Sequence, residues 1–164
     1  MADNNTAPPA LYLQIITMSK VNALYHIVFC TKRRELTIPE ALKNDLYRFI
    51  WSIIKDANCK LLRIGGIPNH IHMLVSLHPS IALSDLMRLI KTNTSNWMNN
   101  NPQFMHFQGW ASEYFATTVS PESKDKVINY IMNQEEHHLH KPFDQELDEV
   151  FEAALLTLHP NDLK

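Results

Sequence analysis

Glycine is nearly missing from this sequence: Gly65, Gly66 and Gly109 are the only three in 164 residues. Neither a dinucleotide-binding fingerprint nor a phosphate-cradling P-loop can be assembled from so few at these spacings. Cysteine is as scarce. Cys30 and Cys59 stand alone, without a CxxC spacing, which excludes a zinc finger or a disulfide framework and suits a reducing compartment. No apolar run approaches the ~20 residues of a membrane helix, and MADNNTAPPA at the N-terminus has neither basic flank nor apolar core. The expectation is a soluble, cytoplasmic chain with no membrane partner.

A strong positive charge is lacking too, since the formal net charge is −2. The balance is uneven along the chain. Residues 1–134 carry 13 Lys+Arg against 9 Asp+Glu, whereas residues 135–164 carry 2 against 8. The larger part is therefore mildly basic and compatible with a polyanion partner. The acidic tail, with Asp144, Glu146, Asp148, Glu149 and Glu152, reads equally well as a solvated helix. With 45% apolar and 20% charged residues, the composition is that of an ordinary globular domain, and the length suits one of them.

What the chain has in excess is histidine, nine residues, so the search for chemistry begins there. Residues 1–17 read as an N-terminal extension and 18–164 as a single domain, with 142–164 an acidic C-terminal helix. VNALYHIVFC (21–30) is β-branched and aromatic and predicts a strand, followed by the basic run Lys32-Arg33-Arg34. Leu42, Leu46, Phe49, Ile50 and Ile53 recur at helical spacing over 41–56. Two strands follow, 59–67 and 70–77, parted by Pro68-Asn69. Ser84 predicts the cap of a helix over 85–99 that buries Leu86, Leu89, Ile90 and Trp97. EYFATTV (113–119) reads as a fourth strand, and Ser120-Pro121 opens a helix running to about residue 140. The order βαββαβ predicts an α+β, ferredoxin-like or RRM-like sandwich with an antiparallel sheet, followed by C-terminal helices.

Two motifs carry chemistry. In NHIHMLV, alternation places His70 and His72 on one face of a strand, ~7 Å apart, and Ile71 and Met73 on the other. That pair is half of a metal site, or else two polar residues on a solvated face. In DKVINYIMNQEEHHLH, Tyr130, Gln134 and His138 recur every four residues, with Val127, Ile128 and Ile131 forming the apolar side. A tyrosine so placed is either a packing residue at the core edge or a nucleophile. Together, two imidazoles and an amide oxygen make a three-ligand site with positions open to substrate. A cation there would polarise a phosphate oxygen beside the tyrosine hydroxyl. The geometry requires the tyrosine helix to lie across the sheet, in the same chain or a partner.

The ordered trio YHIVFCTKRR, NHIHMLV and YIMNQEEHH, spanning about residues 20–145, resembles the single-tyrosine HUH transposases of bacterial insertion sequences (insertion sequence 200-like). That family includes the transposases associated with repetitive extragenic palindromes. The resemblance implies a transposase that cuts and rejoins single-stranded DNA at hairpin-bearing element ends through a covalent 5′-phosphotyrosine. It implies Tyr130 as nucleophile, His70, His72 and Gln134 as ligands of Mg²⁺ or Mn²⁺, and Asn69 and His138 in contact with the ligand set. It also implies a homodimer, with the tyrosine helix acting in cis or in trans, in a bacterial cytoplasm and associated with DNA.

Lys32, Arg33 and Arg34 after the first strand, and Arg88 and Lys91 on the second helix, are the cations available to phosphates, while Tyr114 and Phe115 are candidates for stacking bases. Two departures stand out. Asn69 occupies a position where relatives commonly carry Asp, and Glu113 precedes Tyr114 where many have Gly. The alternative functions are a domesticated hairpin-binding protein that no longer cuts, and an RRM-like RNA-binding module. The second is disfavoured because its stacking aromatics belong where His70 and His72 stand.

Overall fold

The computed structural model describes residues 21–134 of the chain. The N-terminal extension, His138 and the acidic tail lie outside the described residues. Four strands, β1 (Leu24–Cys30), β2 (Lys60–Ile67), β3 (His70–Ser76) and β4 (Phe115–Thr118), form one sheet in the order β2-β3-β1-β4. All neighbours are antiparallel. Among the described residues three α-helices accompany it: α1 (Lys43–Asp56), α2 (Leu83–Asn99) and α3 (Lys124–Met132). This is the α+β sandwich expected from the βαββαβ order, with the fourth and second strands at the edges.

The central strands β1 and β3 are covered on both faces, and every residue from His70 to Val75 is buried. One face carries Ile27, Phe29, Ile71, Met73 and Val75 and packs against Leu46, Ile50 and Ile54 of α1 and Leu86, Met87 and Ile90 of α2. Leu46, Ile50 and Ile54 recur four residues apart, as do Leu86 and Ile90, the spacing of a buried stripe. Phe49 of α1 stacks on Trp97 of α2, with ring centroids 5.2 Å apart. A buried polar bridge ties α2 to the loop before β4, where Trp110 Nε1 donates to Thr94 Oγ1 at 2.8 Å. Both partners are thereby satisfied inside the core.

The opposite face carries Leu24 and Leu74, which pack against Ile131 and, at the margin, Val127, Ile128 and Tyr130 of α3. So α3 lies across this face of its own chain's sheet. Gly65 allows the approach: a Cβ there would meet the Ile131 carbonyl oxygen at 2.5 Å. Among the described residues, no helix is long and apolar enough to cross a membrane.

Two boundaries differ from those read in the sequence. Helix α2 begins at Leu83 with Ala82 at its cap position, so Ser84 sits inside the first turn and makes no capping bond. Leu83 packs against the core, and that contact draws the helix back beyond the better capping residue. Strand β4 has four residues rather than seven; the carbonyl oxygens of Ser112 and Glu113 before it accept from Lys91 Nζ, at 2.8 and 3.4 Å, and pair with no residue of β1. Helix α3 is regular to Met132, and its expected continuation to about residue 140 lies outside the described residues. Asn133 leaves helical geometry (φ −100°, ψ 18°), its N–H reaching the carbonyls of Asn129 and Tyr130, so Gln134 follows a break rather than an unbroken turn.

Candidate active site

The face under α3 is where the histidines collect. Strand parity puts His70 and His72 on that side of β3, while Ile71 and Met73 enter the helical core, as alternation requires. The two rings stand edge to face with centroids 4.9 Å apart, at 0% and 1% exposure. Tyr130 descends from α3 with its ring 5.7 Å from that of His72, also edge-on. Gln134 is 1% exposed. It lines a cavity of about 190 Å³ with Arg63, Gly65, Gly66 and Ile131. Gly65 is the register partner of His72, and Gly66 of Ile71, so Gln134 lines a cavity over β2, the strand next to the histidine strand.

Each histidine is held from behind. Asn69 Oδ1 lies 2.7 Å from His70 Nδ1, and Asn69 Nδ2 donates to the Arg34 carbonyl oxygen at 3.4 Å. The second bond fixes which way the amide faces, so His70 Nδ1–H is the donor and Nε2 carries the lone pair. His72 Nδ1 lies 3.1 Å from His26 Nε2 on β1, and the rings stack at 5.3 Å. Burial holds the His26 pKa down to about 4, so this imidazole is neutral near pH 7. Sequence reasoning assigned His26 no role. Its parity in YHIVFC was visible, but its neighbour is set by the β1–β3 register, 46 residues away.

Of the predicted cations, Lys32, Arg33 and Arg34 form an exposed 3₁₀ turn directly after β1. Arg33 and Arg34 both adopt left-handed backbone, φ 59° and 57°, at a cost of about 1–2 kcal/mol per non-glycine residue. The turn is strapped to the β2–β3 connection: Thr31 Oγ1 donates to Glu35 O at 2.6 Å and Asn69 O at 3.1 Å. Arg33 and Arg34 line a cavity of about 350 Å³ with Cys30, Glu113, Tyr114 and Phe115. Burial raises the Cys30 thiol pKa, and the charges of Arg34 and Lys91 partly offset this.

Arg88 and Lys91 are placed differently from the turn. They ride on α2, which covers the face opposite the histidines. Arg88 pairs with Asp85 at 3.2 Å, and Lys91 binds the two loop carbonyls already described. The predicted stacking aromatics are also engaged elsewhere. Phe115 is 8% exposed, and Tyr114 packs against the helical core.

Among the described residues no three His, Cys, Asp or Glu side chains are placed to hold a metal ion together, so a site built on His70 and His72 would take its third donor from another residue type, such as the Gln134 amide. Two imidazoles anchored through Nδ1 and one amide oxygen are a donor set that suits a divalent ion with sites left for substrate. The residues present therefore fit Mg²⁺ or Mn²⁺, the latter better by ligand softness.

Comparison with known proteins bears on the same stretch of chain. The sequence is 24% identical over 115 residues to the ISDra2 transposase TnpA of Deinococcus radiodurans, covering 67% of this chain and 82% of that protein. It is 27% identical over 122 residues to the transposase for insertion sequence element IS200 of Salmonella typhimurium, covering 69% and 77%. Among solved structures, a Deinococcus radiodurans transposase superposes with a TM-score of 0.56 at 22% identity, over 71% of this chain and 95% of that one. A REP-associated tyrosine transposase bound to a REP hairpin gives a TM-score of 0.54 at 16% identity, over 74% of each. These likenesses share the fold. A family profile described as IS200-like transposase spans residues 19–134, taking in the His70–His72 strand, Tyr130 and Gln134, and with that match the chain belongs to the IS200-like transposase family.

Proposed function

We propose that this transposase cuts and rejoins single-stranded DNA at hairpin-bearing ends, with Tyr130 as nucleophile and His70, His72 and Gln134 holding Mg²⁺ or Mn²⁺. The observation that carries the reading is the meeting of a phenol and an imidazole pair separated by about sixty positions, with Tyr130 and His72 rings 5.7 Å apart. A divalent cation, when bound, supplies charge stabilisation to the phosphate oxygens during transfer.

The chain's own residues do the rest. Tyr130 Oη attacks the scissile phosphorus and gives up its proton, the bond from phosphorus to the 3′ oxygen breaks, and that oxygen leaves as a protonated 3′-hydroxyl. The 5′ phosphate stays on the tyrosine. Attack by another 3′-hydroxyl reverses the balance, restores the diester and returns the proton to the phenol, so no external energy source is consumed. Free tyrosine is only ~0.1% phenolate at pH 7, a handicap of ~4 kcal/mol that a neighbouring cation lowers. The exposed turn Lys32–Arg34 gives the phosphate backbone a docking surface at the β1 end of the site.

The test is an end-labelled single strand bearing a hairpin, incubated with Mn²⁺, with Mg²⁺ or with chelator. Cleavage that needs the metal and vanishes in His70→Ala supports the reading. Hairpin binding without cleavage in any metal favours a domesticated DNA-binding protein instead.

A further inference from the structure

His26 sits on the rigid central strand β1, 5% exposed, in the layer that holds the proposed ligands, with Leu24 and Leu74 of that layer also buried. Its Nε2 is 3.1 Å from His72 Nδ1, the rings stack at an interplanar angle of 23°, and Tyr130 closes the edge at 5.9 Å.

We propose that His26 is a positioning residue: its Nε2 accepts a hydrogen bond from His72 Nδ1–H and holds His72 in the tautomer whose Nε2 lone pair is available to a divalent cation. This rests on the reading of His70 and His72 as ligands.

Two imidazole nitrogens in hydrogen-bond contact need one donor and one acceptor between them. Were His26 the donor, the His72 proton would sit on Nε2, leaving no lone pair there. On the neighbouring ligand the direction is already set, because Asn69 Oδ1 has no proton to give and His70 Nδ1 must donate. A matched pair of ligand nitrogens therefore requires His72 to donate as well. Metal-binding histidines generally have their second nitrogen engaged in this way, and removing that partner costs 10–100-fold in affinity. Here a loop amide serves one ring and a strand imidazole serves the other.

The experiment uses the full chain, labelled with ¹⁵N-histidine and free of metal, in long-range proton–nitrogen spectra. The wild type is expected to show His72 protonated on Nδ1 and unprotonated on Nε2. His26→Leu is expected to lose that single tautomer and to weaken Mn²⁺ binding, read by electron paramagnetic resonance without DNA, about tenfold or more. His26→Gln supplies an amide oxygen in the same direction and should restore the tautomer and most of the affinity. A wild-type His72 protonated on Nε2 overturns the proposal, as does a folded His26→Leu with unchanged tautomer and Mn²⁺ affinity. If the wild type binds no Mn²⁺ yet His26→Leu scrambles the tautomer, the positioning role stands and the metal reading fails. Should His26→Leu not fold, the wild-type spectrum and His26→Gln decide the matter.

Discussion

Gly65 lies directly beneath the backbone of Ile131, so close that a methyl group on Gly65 would meet the Ile131 carbonyl oxygen at 2.5 Å. Ile131 follows Tyr130, and Gly65 is the register partner of His72. One missing side chain thus sets the height of the tyrosine above the histidines. Gly65→Ala should lift α3, cost about 1–3 kcal/mol in stability, as overpacking does, and lower strand cleavage at least tenfold. Denaturant melts together with single-turnover cleavage check both parts. Unchanged cleavage would mean that α3 is not held here during the reaction.

Asn69 joins the basic turn to a ligand, with Oδ1 on His70 and Nδ2 on the Arg34 carbonyl. Asn69→Ala should weaken Mn²⁺ binding by about tenfold. Asn69→Asp keeps the acceptor but loses the donor to Arg34, so it should retain metal affinity while loosening the turn. Calorimetric titration and amide exchange of residues 32–35 separate the two effects.

Arg33 carries its charge on a left-handed backbone. Arg33→Asn removes the charge while asparagine tolerates that conformation, so stability should hold or rise slightly. The slope of log affinity for single-stranded DNA against log salt should fall by about 0.7, the value for one phosphate contact. Anisotropy titrations across a salt series measure it. Arg88→Gln, on the opposite face and paired with Asp85, should leave the slope unchanged.

Helix α3 packs on its own sheet through Ile131, Leu24 and Leu74, which argues for a tyrosine acting within its own chain. Mixing Tyr130→Phe with His70→Ala chains should therefore restore no cleavage. Recovery approaching one quarter of wild-type sites would indicate exchange of the helix between copies of a dimer.

The elements were legible because their periods are unambiguous: Leu46, Ile50 and Ile54 on α1, and Ile71 and Met73 opposite His70 and His72 on β3. Spacing singles out His70, His72, Tyr130 and Gln134 as candidates but leaves a packing or solvated-face reading open, and it is the family resemblance that implies their roles. Tertiary contacts decided what local signals could not. Ser84 is the better capping residue, yet packing of Leu83 set the start of α2. Lys91 reaches two carbonyls ahead of β4, and these bonds occupy a cation that spacing alone offered to DNA. The pairing of His26 with His72 depends on strand register, which alternation within a single strand does not reveal.

The most direct test of the central claim is to trap the protein on a labelled hairpin strand with Mn²⁺, digest it, and locate the DNA-linked peptide by mass spectrometry. A 5′-phosphate on Tyr130, formed only with metal and absent from Tyr130→Phe, is the result this account requires. A covalent adduct on any other residue, or normal adduct yield in Tyr130→Phe, would contradict it.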